Sequence, residues 1–408
     1  MPMTKSTRSA LLAIFLIVAV DILGLTIVLP MLPFYAEHYG ASPQVVGLLA
    51  TVFAFCAFLS GPVLGRWSDR FGRRPVLMAS QIGTFIGFII LAKAQALWVI
   101  FLSRIVDGIT AGNLSIAQAF ISDVTEPENR AKAFGVIGIA FGLGFFIGPA
   151  ISAYLSQYGF SHPAWAAAGL SFTSILCTYF LLPDTRHLHH AAAAEEPMTV
   201  EEGNIFHFHR FFHYMRRPGV SETLWQFLFF GLGFSCLISG FPLFAERRFT
   251  AHGHPFGTRE VGYFYTYIGF LGMIIQGFIL GKIVKRLGET RLVGVGFLMQ
   301  GLGYAGLAFV YRWPWLLVTS AVSSFGSGVL RPALTSLLTQ RASRREQGAV
   351  LGTSQSLMSV SQITAPLLSG FLINQAWLNA WALSAAGFSL VGLGLAVPMF
   401  ARSLSARR

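Results

Sequence analysis

Gly65-Arg66-Trp67-Ser68-Asp69-Arg70-Phe71-Gly72-Arg73-Arg74-Pro75-Val76-Leu77 decides how the rest of the chain is read. The stretch places four arginines and one aspartate between two long apolar runs, in a segment too short to be a domain. Glycine at both ends suits a tight reversal with close helix approach, and Pro75 suits the first turn of a following helix. An apolar helix that ends, reverses through a basic segment and starts again is what a chain does when it leaves a membrane and re-enters it.

Composition agrees. The chain has 408 residues, of which 54% are hydrophobic and 11% charged, against roughly 25% charged in soluble domains. Its mean hydropathy is +0.62. Apolar stretches of about 20 residues recur along its length. The expected spans are 10–33, 43–65, 75–94, 97–121, 132–155, 163–183, 221–245, 258–281, 291–311, 313–339, 347–373 and 376–400. The first follows Lys5 and Arg8 and is too long for the apolar region of a cleaved leader.

The net charge of +12 does not point to nucleic acid, because the basic residues alternate between loops. Lys5 and Arg8, the arginines at 66–74, Arg130 and Lys132, the basic residues at 282–291, Arg341, Arg344 and Arg345, and the C-terminal arginines all fall on one side. Lys93, Arg247, Arg248, Arg259 and Arg312 fall on the other. An excess of Lys and Arg in alternate loops marks the cytoplasmic side and predicts that both termini are cytoplasmic. Cys56, Cys177 and Cys236 all lie in apolar runs without ligand spacing and read as small core residues.

The expected organisation is an N-terminal six-helix bundle over 1–185, a linker over 186–220 and a C-terminal six-helix bundle over 221–408. The linker carries His187, His189 and His190, two glutamate pairs and an aromatic–basic run from Phe206 to Phe212. Its first part reads as solvated and its second as an amphipathic surface helix. The halves repeat weakly. Pro33-Phe34-Tyr35-Ala36-Glu37 returns as Pro242-Leu243-Phe244-Ala245-Glu246, Gly65 and Gly72 as Gly281 and Gly288, and Gly148-Pro149 as Ala365-Pro366. These echoes fall at offsets of 209, 216 and 217 residues. In the second basic loop Lys285 stands where Asp69 would be.

Charged groups inside a bilayer are costly and mark functional candidates. Asp21 is the leading one: a carboxyl buried near the midplane can load and release a proton, or can serve as a satisfied helix–helix hydrogen bond. Arg104 and Asp107, three residues apart, share a helix face and can pair. Gly108 and Gly112 continue that face with residues that permit close packing. Such a pair can be purely structural, or Arg104 can tune a neighbouring carboxyl. Asn113 and Gln118 add polarity to the same helix. Arg331, beside Pro332, is a candidate anchor for an anionic substrate group or a partner for a carboxylate. Trp225 and the aromatics near Tyr263 are candidate cavity lining. No phosphate-cradling glycine loop, nucleophile–base spacing or metal motif appears, so the chain reads as neither an enzyme nor an ATP-driven pump.

The opening stretch resembles the G-x-x-x-D-R-x-G-R-R-P loop between the second and third membrane helices of major facilitator transporters. Gly135, Gly144, Gly148 and Pro149 resemble the antiporter motif of drug:proton exchangers, with Ser152-Ala153 in place of its usual final glycines. Together with Asp21, Arg104 and the turn from Asp123 to Arg130, they resemble the tetracycline efflux branch most closely over about the first 155 residues. The resemblance implies an all-α membrane protein with twelve transmembrane helices in two pseudo-symmetric bundles. The charged and aromatic residues of the spans give the expected proton-coupling residues, Asp21, Arg104 and Asp107, and an expected substrate cavity near Arg331, Asn113 and Trp225. The charges of the two turns give an expected conformational latch at Gly65, Asp69, Arg70, Gly72, Arg73, Asp123 and Arg130, with Asp69 facing the start of the eleventh span near Gln347 and Gly348, where the helix dipole favours an anion. In exporters of this kind the antiporter-motif helix packs against its counterpart in the other half.

One departure matters. Tetracycline exporters carry an acid in helix 3, where this chain has Gln81-Ile82-Gly83-Thr84, and another in the second half, where spans 9 to 12 have none and span 8 has Glu260 at its very start. The expected activity is proton-driven export of small amphiphilic compounds from a cell inner membrane by a monomer. The partners are substrate, protons and lipid, and there is no cofactor, metal or nucleic acid. The alternatives are a proton-coupled uptake symporter for an organic anion, and a non-transporting receptor of the same fold.

Overall fold

A computed structural model describes residues 5–125, 130–182, 213–251, 253–343 and 346–405. The histidines, glutamates and aromatic–basic run of the expected linker lie outside the described residues. The helices are α1 (Lys5–His38), α2 (Pro43–Phe71), α3 (Arg73–Ala92), α4 (Leu97–Ile109), α5 (Asn113–Val124), α6 (Arg130–Leu155) and α7 (Ser161–Leu181). After the linker come α8 (Val220–Arg248), α9 (Thr258–Ile274), α10 (Leu280–Phe309), α11 (Trp313–Arg341), α12 (Gln347–Asn374) and α13 (Leu378–Ser405). A π-helical turn, Ile275–Ile279, joins α9 to α10. A two-stranded hairpin pairs Thr250–Ala251 with His254–Pro255 between α8 and α9. Helices dominate because in hydrocarbon each backbone N–H and C=O must be bonded within its own segment.

Among the described residues, ten segments are long and apolar enough to cross a membrane. The expected boundaries differ from the observed ones in three places. The fourth span is two helices, broken at Thr110–Gly112. The eighth and ninth spans form one helical run, Thr258–Phe309, interrupted by non-helical backbone at Gly288. The tenth, α11, has the length but not the hydropathy, because serines and threonines crowd it; Ser320, Ser323 and Ser324 are buried inside the protein.

Contacts divide the chain into two units. The first takes the described residues within Met1–Gly40 and Val52–Phe206; the second takes Ala41–Thr51 and those within His207–Arg408. In the first, α1 packs on α6 and α7, and α3 on α4 and α7. In the second, α8 packs on α12 and α13, and α10 on α11 and α13. The second pattern is the first with each helix replaced by its counterpart one half-chain later. Joining α4 to α5 and dividing at Gly288 gives, among the described residues, six long helical segments on each side of the 186–220 stretch, with the start of α2 through Thr51 grouped in the second unit. The first core gathers Ile14, Ile17, Leu77, Phe120 and Ile121; the second gathers Phe297, Leu330, Leu334 and Leu338.

The repeat extends to backbone geometry. Gly72 has φ +95° and Gly288 φ +72°. This left-handed conformation favours glycine and ends one helix and starts the next without a connecting loop. Gly65 does not play the part expected of it. It lies inside α2, which runs on to Phe71, and no neighbour lies within reach of a Cβ placed there. The basic stretch is helix on both sides, with one reversing residue.

Candidate functional site

The candidate site lies in the interior of the first unit. Apolar lipid gives helices no hydrophobic reason to associate, so close approach through small residues matters more. A Cβ on Gly83 would meet the Thr110 side chain at 2.2 Å, and one on Gly87 would meet the Asp107 Cβ at 3.0 Å. Those two glycines, one turn apart on α3, bring α4 into direct contact. On the other side of α4, a Cβ on Gly108 would meet the Phe53 carbonyl at 2.8 Å, and the Ser60 hydroxyl donates to the Gly108 carbonyl at 2.9 Å.

This packing buries the Arg104–Asp107 pair, whose side chains are 3% and 5% exposed. Arg104 Nη1 reaches Asp107 Oδ2 at 3.2 Å. The guanidinium lies 5.8 Å from the Phe53 ring and 5.9 Å from the Phe88 ring, within cation–π range of both. Thr84 on α3 stands beside Asp107. Arg104 Nη2 has no hydrogen-bond partner.

Asp21 enters from α1. Ser174 of α7, Gln81 of α3 and Asn113 of α5 are next to it, with Asp107 as the nearby charge. Gln81 Nε2 donates to Ser174 Oγ at 2.7 Å. Both Asp21 carboxyl oxygens are shielded and accept no hydrogen bond, and Gln81 Oε1 and Asn113 Oδ1 are likewise without a donor. The cluster is therefore rich in acceptors and short of protons. Arg104 is neutralised by Asp107, so an ionised Asp21 is an uncompensated buried charge, whereas a protonated Asp21 is neutral and supplies a donor.

The helix break adjoins this cluster. Thr110, Ala111 and Gly112 separate α4, with Asp107 in its last turn, from α5, which Asn113 begins. Ser80 of α3 bridges the gap: its hydroxyl donates to the Thr110 carbonyl and accepts the Gly112 N–H at 3.1 Å. Irregular backbone at membrane depth is tolerated where it is held by protein or faces a polar cavity. Ser80 and the break were not among the sequence-predicted site residues. The signal available was the run Thr110-Ala111-Gly112-Asn113, a breaker cluster inside an apolar pattern.

The antiporter-motif residues act on the same site from behind. A Cβ on Gly144 would meet Ile22 at 2.4 Å, and one on Gly148 would meet Thr26 Oγ1 at 2.0 Å. The Thr26 hydroxyl donates to the Gly144 carbonyl at 2.8 Å. The close approach of α6 is thus to α1, in its own unit, at the turns that follow Asp21. Pro149 continues this helix. The surroundings of Gly135 lie outside the described residues.

At the start of α3, Arg73 is the hub of a separate cluster. It is 7% exposed, pairs with Asp69, reaches Asp123 Oδ2 at 2.8 Å and donates to Ser68 Oγ at 2.7 Å. Asp69 and Arg70 are exposed, with Arg70 5.5 Å from the Phe71 ring. The side chain of Arg130 lies outside the described residues. Trp225 (on α8, 6.4 Å from Phe229) and Arg331 (exposed on α11) belong to the second unit.

The Major Facilitator Superfamily model matches residues 14–310 and 256–407. The chain belongs to this superfamily. Among curated relatives, the class E tetracycline resistance protein of Escherichia coli is 30% identical over 405 residues, covering 97% of this chain and 93% of that protein. The class G tetracycline resistance protein of Vibrio anguillarum is 32% identical, covering 92% of each. Multidrug resistance protein 2 of Bacillus subtilis is 26% identical, covering 92% and 91%. The crystal structure of the human organic anion transporter MFSD10 matches at a TM-score of 0.72 and 23% identity, covering 96% of this chain and all of that one. The superfamily member is therefore a multi-pass membrane transporter by descent, and its relatives are transporters rather than enzymes.

Proposed function

We propose that this transporter exports small amphiphilic compounds in exchange for protons, with Asp21 as the proton carrier. One observation carries the reading: among the described residues the Asp21 carboxyl is buried, accepts no hydrogen bond, and is set beside an ion pair in which Asp107 already neutralises Arg104. A group so placed changes its neighbourhood most when it gains or loses a proton. Similarity to tetracycline and multidrug resistance proteins supports efflux as the direction. With Gln81 and Thr84 where an acid is expected in helix 3, an apolar or weakly charged compound suits the chain better than a cation chelate.

In this reading the protein sits in a cell inner membrane as a monomer with both termini cytoplasmic, and two six-helix bundles flank the 186–220 linker. Asp21 takes a proton from outside as substrate leaves and releases it inward. Arg104 and Asp107 set the charge around it, while Asn113, Trp225 and Arg331 contact substrate. The Asp69–Arg73–Asp123 cluster latches the cytoplasmic side. Asp21→Asn in proteoliposomes with an imposed pH gradient is the test. Loss of gradient-driven substrate movement, with exchange at equal pH retained, is expected. Unchanged coupling overturns the proton role, and gradient-driven accumulation in the uptake direction overturns export.

A further inference from the structure

We infer that the second basic stretch, residues 282–291, binds the headgroup of an anionic phospholipid. The inference starts from the pseudo-repeat. In the first unit the bases after and before Gly72 are engaged: Arg73 by Asp69, Asp123 and Ser68, and Arg74 by the Tyr179 carbonyl and its ring, 5.6 Å away. Arg70 lies over Phe71.

Around Gly288 the charges are inverted. Lys285 occupies the place of Asp69, and Glu289 that of Arg73, each 216 residues on. Glu289 is turned to α11, where it accepts from Ser336 Oγ at 3.2 Å and Gln340 Nε2 at 3.1 Å. The acid of the stretch is therefore occupied by neutral donors. Lys282, Lys285, Arg286 and Arg291 are all exposed, and none makes an ion pair, hydrogen bond or ring contact among the described residues.

Their placement selects the ligand. Lys282 stands three residues before Lys285 and four before Arg286 on α10, so the three share one face, and Phe278 lies four residues before Lys282 in the π-helical turn that leads into it. Phe278 is 74% exposed and Leu287 39% exposed. An apolar ring one turn before a run of cations, at the end of a membrane helix, matches an acyl chain below a phosphate. Lys and Arg extend their apolar stems along hydrocarbon and keep the charge at the interface. Guanidinium forks fit phosphate oxygens in pairs, and polybasic segments next to a membrane helix attract anionic lipid. A neutral or zwitterionic headgroup does not satisfy four unneutralised cations.

The test uses the full chain in detergent, with thermal unfolding followed as lipid is added. The probes are phosphatidylglycerol, phosphatidylcholine and soluble glycerol 3-phosphate. Phosphatidylglycerol is expected to raise the midpoint of the unmodified chain, and native mass spectrometry to find that lipid retained. The variant Lys282→Gln/Lys285→Gln/Arg286→Gln/Arg291→Gln is expected to lose both effects. A control of equal charge change, Lys93→Gln/Arg216→Gln/Arg259→Gln/Arg312→Gln, is expected to keep them. The pairs Lys282→Gln/Lys285→Gln and Arg286→Gln/Arg291→Gln are expected to lose part of each effect, and they stand in if the fourfold variant does not fold. An equal shift in variant and parent overturns the inference. So does an equal shift with glycerol 3-phosphate, which makes the ligand a soluble anion, or with phosphatidylcholine, which makes it any lipid.

Discussion

At the scale of single residues, Arg104 and Glu346 make opposite cases for what an ion pair does. Arg104 and Asp107 are withdrawn from solvent, so removing one partner strands the other. Arg104→Leu is expected to lower unfolding stability by about 3–5 kcal/mol, and Arg104→Leu/Asp107→Leu to recover much of that loss. Chemical unfolding of the two variants in one detergent checks it, and a double variant no better than the single one removes the stranded-charge account. Glu346 lies just before α12 and is solvated. The Ser343 hydroxyl at 2.7 Å and the Arg217 guanidinium at 3.0 Å hold its carboxyl down to about 2 from the ordinary 4.5. A depressed folded-state value gives stability that is fully present above 4.5 and is lost as pH falls through about 2. Glu346→Gln should therefore lower the melting temperature equally at pH 8 and pH 5; a penalty that shrinks between those values contradicts the assignment.

At the scale of elements, the break between α4 and α5 is the feature with the most consequence. A continuous fourth helix would satisfy its own backbone. Here the Gly112 N–H donates to the Thr110 carbonyl at 2.7 Å, and one hydroxyl from α3 bonds both groups. Ser80→Ala removes that hydroxyl without adding volume and leaves the Gly112–Thr110 bond in place, so it is expected to cost about 0.5–1.5 kcal/mol, the net worth of a lost hydrogen bond. Faster hydrogen exchange confined to residues 108–114 would accompany it; uniform exchange across the chain would show that Ser80 does not hold the break. Asp107 lies in the last turn of one piece and Asn113 begins the other, so the same hydroxyl supports two residues of the candidate site. Periodicity carried the reading across the break because α4 and α5 are both apolar, and no sequence rule gives the position of Ser80 on a neighbouring helix.

At the scale of the whole molecule, two units repeat one pairing pattern while their chemistry diverges. The buried charges at the candidate site lie in the first unit. The second has buried neutral groups in its core, with Gln300, Tyr304, Ser327 and Ser389 joined by hydrogen bonds. That asymmetry suits a machine in which one half carries the proton. The charge alternation between loops predicts a topology: a C-terminal green fluorescent protein fusion should fluoresce, and an alkaline phosphatase fusion at the same point should be inactive. Active phosphatase there would reverse the assigned orientation.

The sequence by itself determined the class, the helix count and the superfamily. These follow from segment length, hydropathy and the spacing of glycines and charges, which are properties of one helix or one turn at a time. It also singled out Asp21, Arg104 and Asp107, because a charge in an apolar run is conspicuous wherever the run later packs. Tertiary structure alone showed that Gln81, Ser174 and Asn113 gather around Asp21, that Gly144 and Gly148 press on α1, and that Glu289 turns away from its basic neighbours. Those facts depend on which faces of different helices meet. A Gln, Ser or Gly looks unremarkable in its own segment until a partner from another helix leaves it bonded, bare or in close contact.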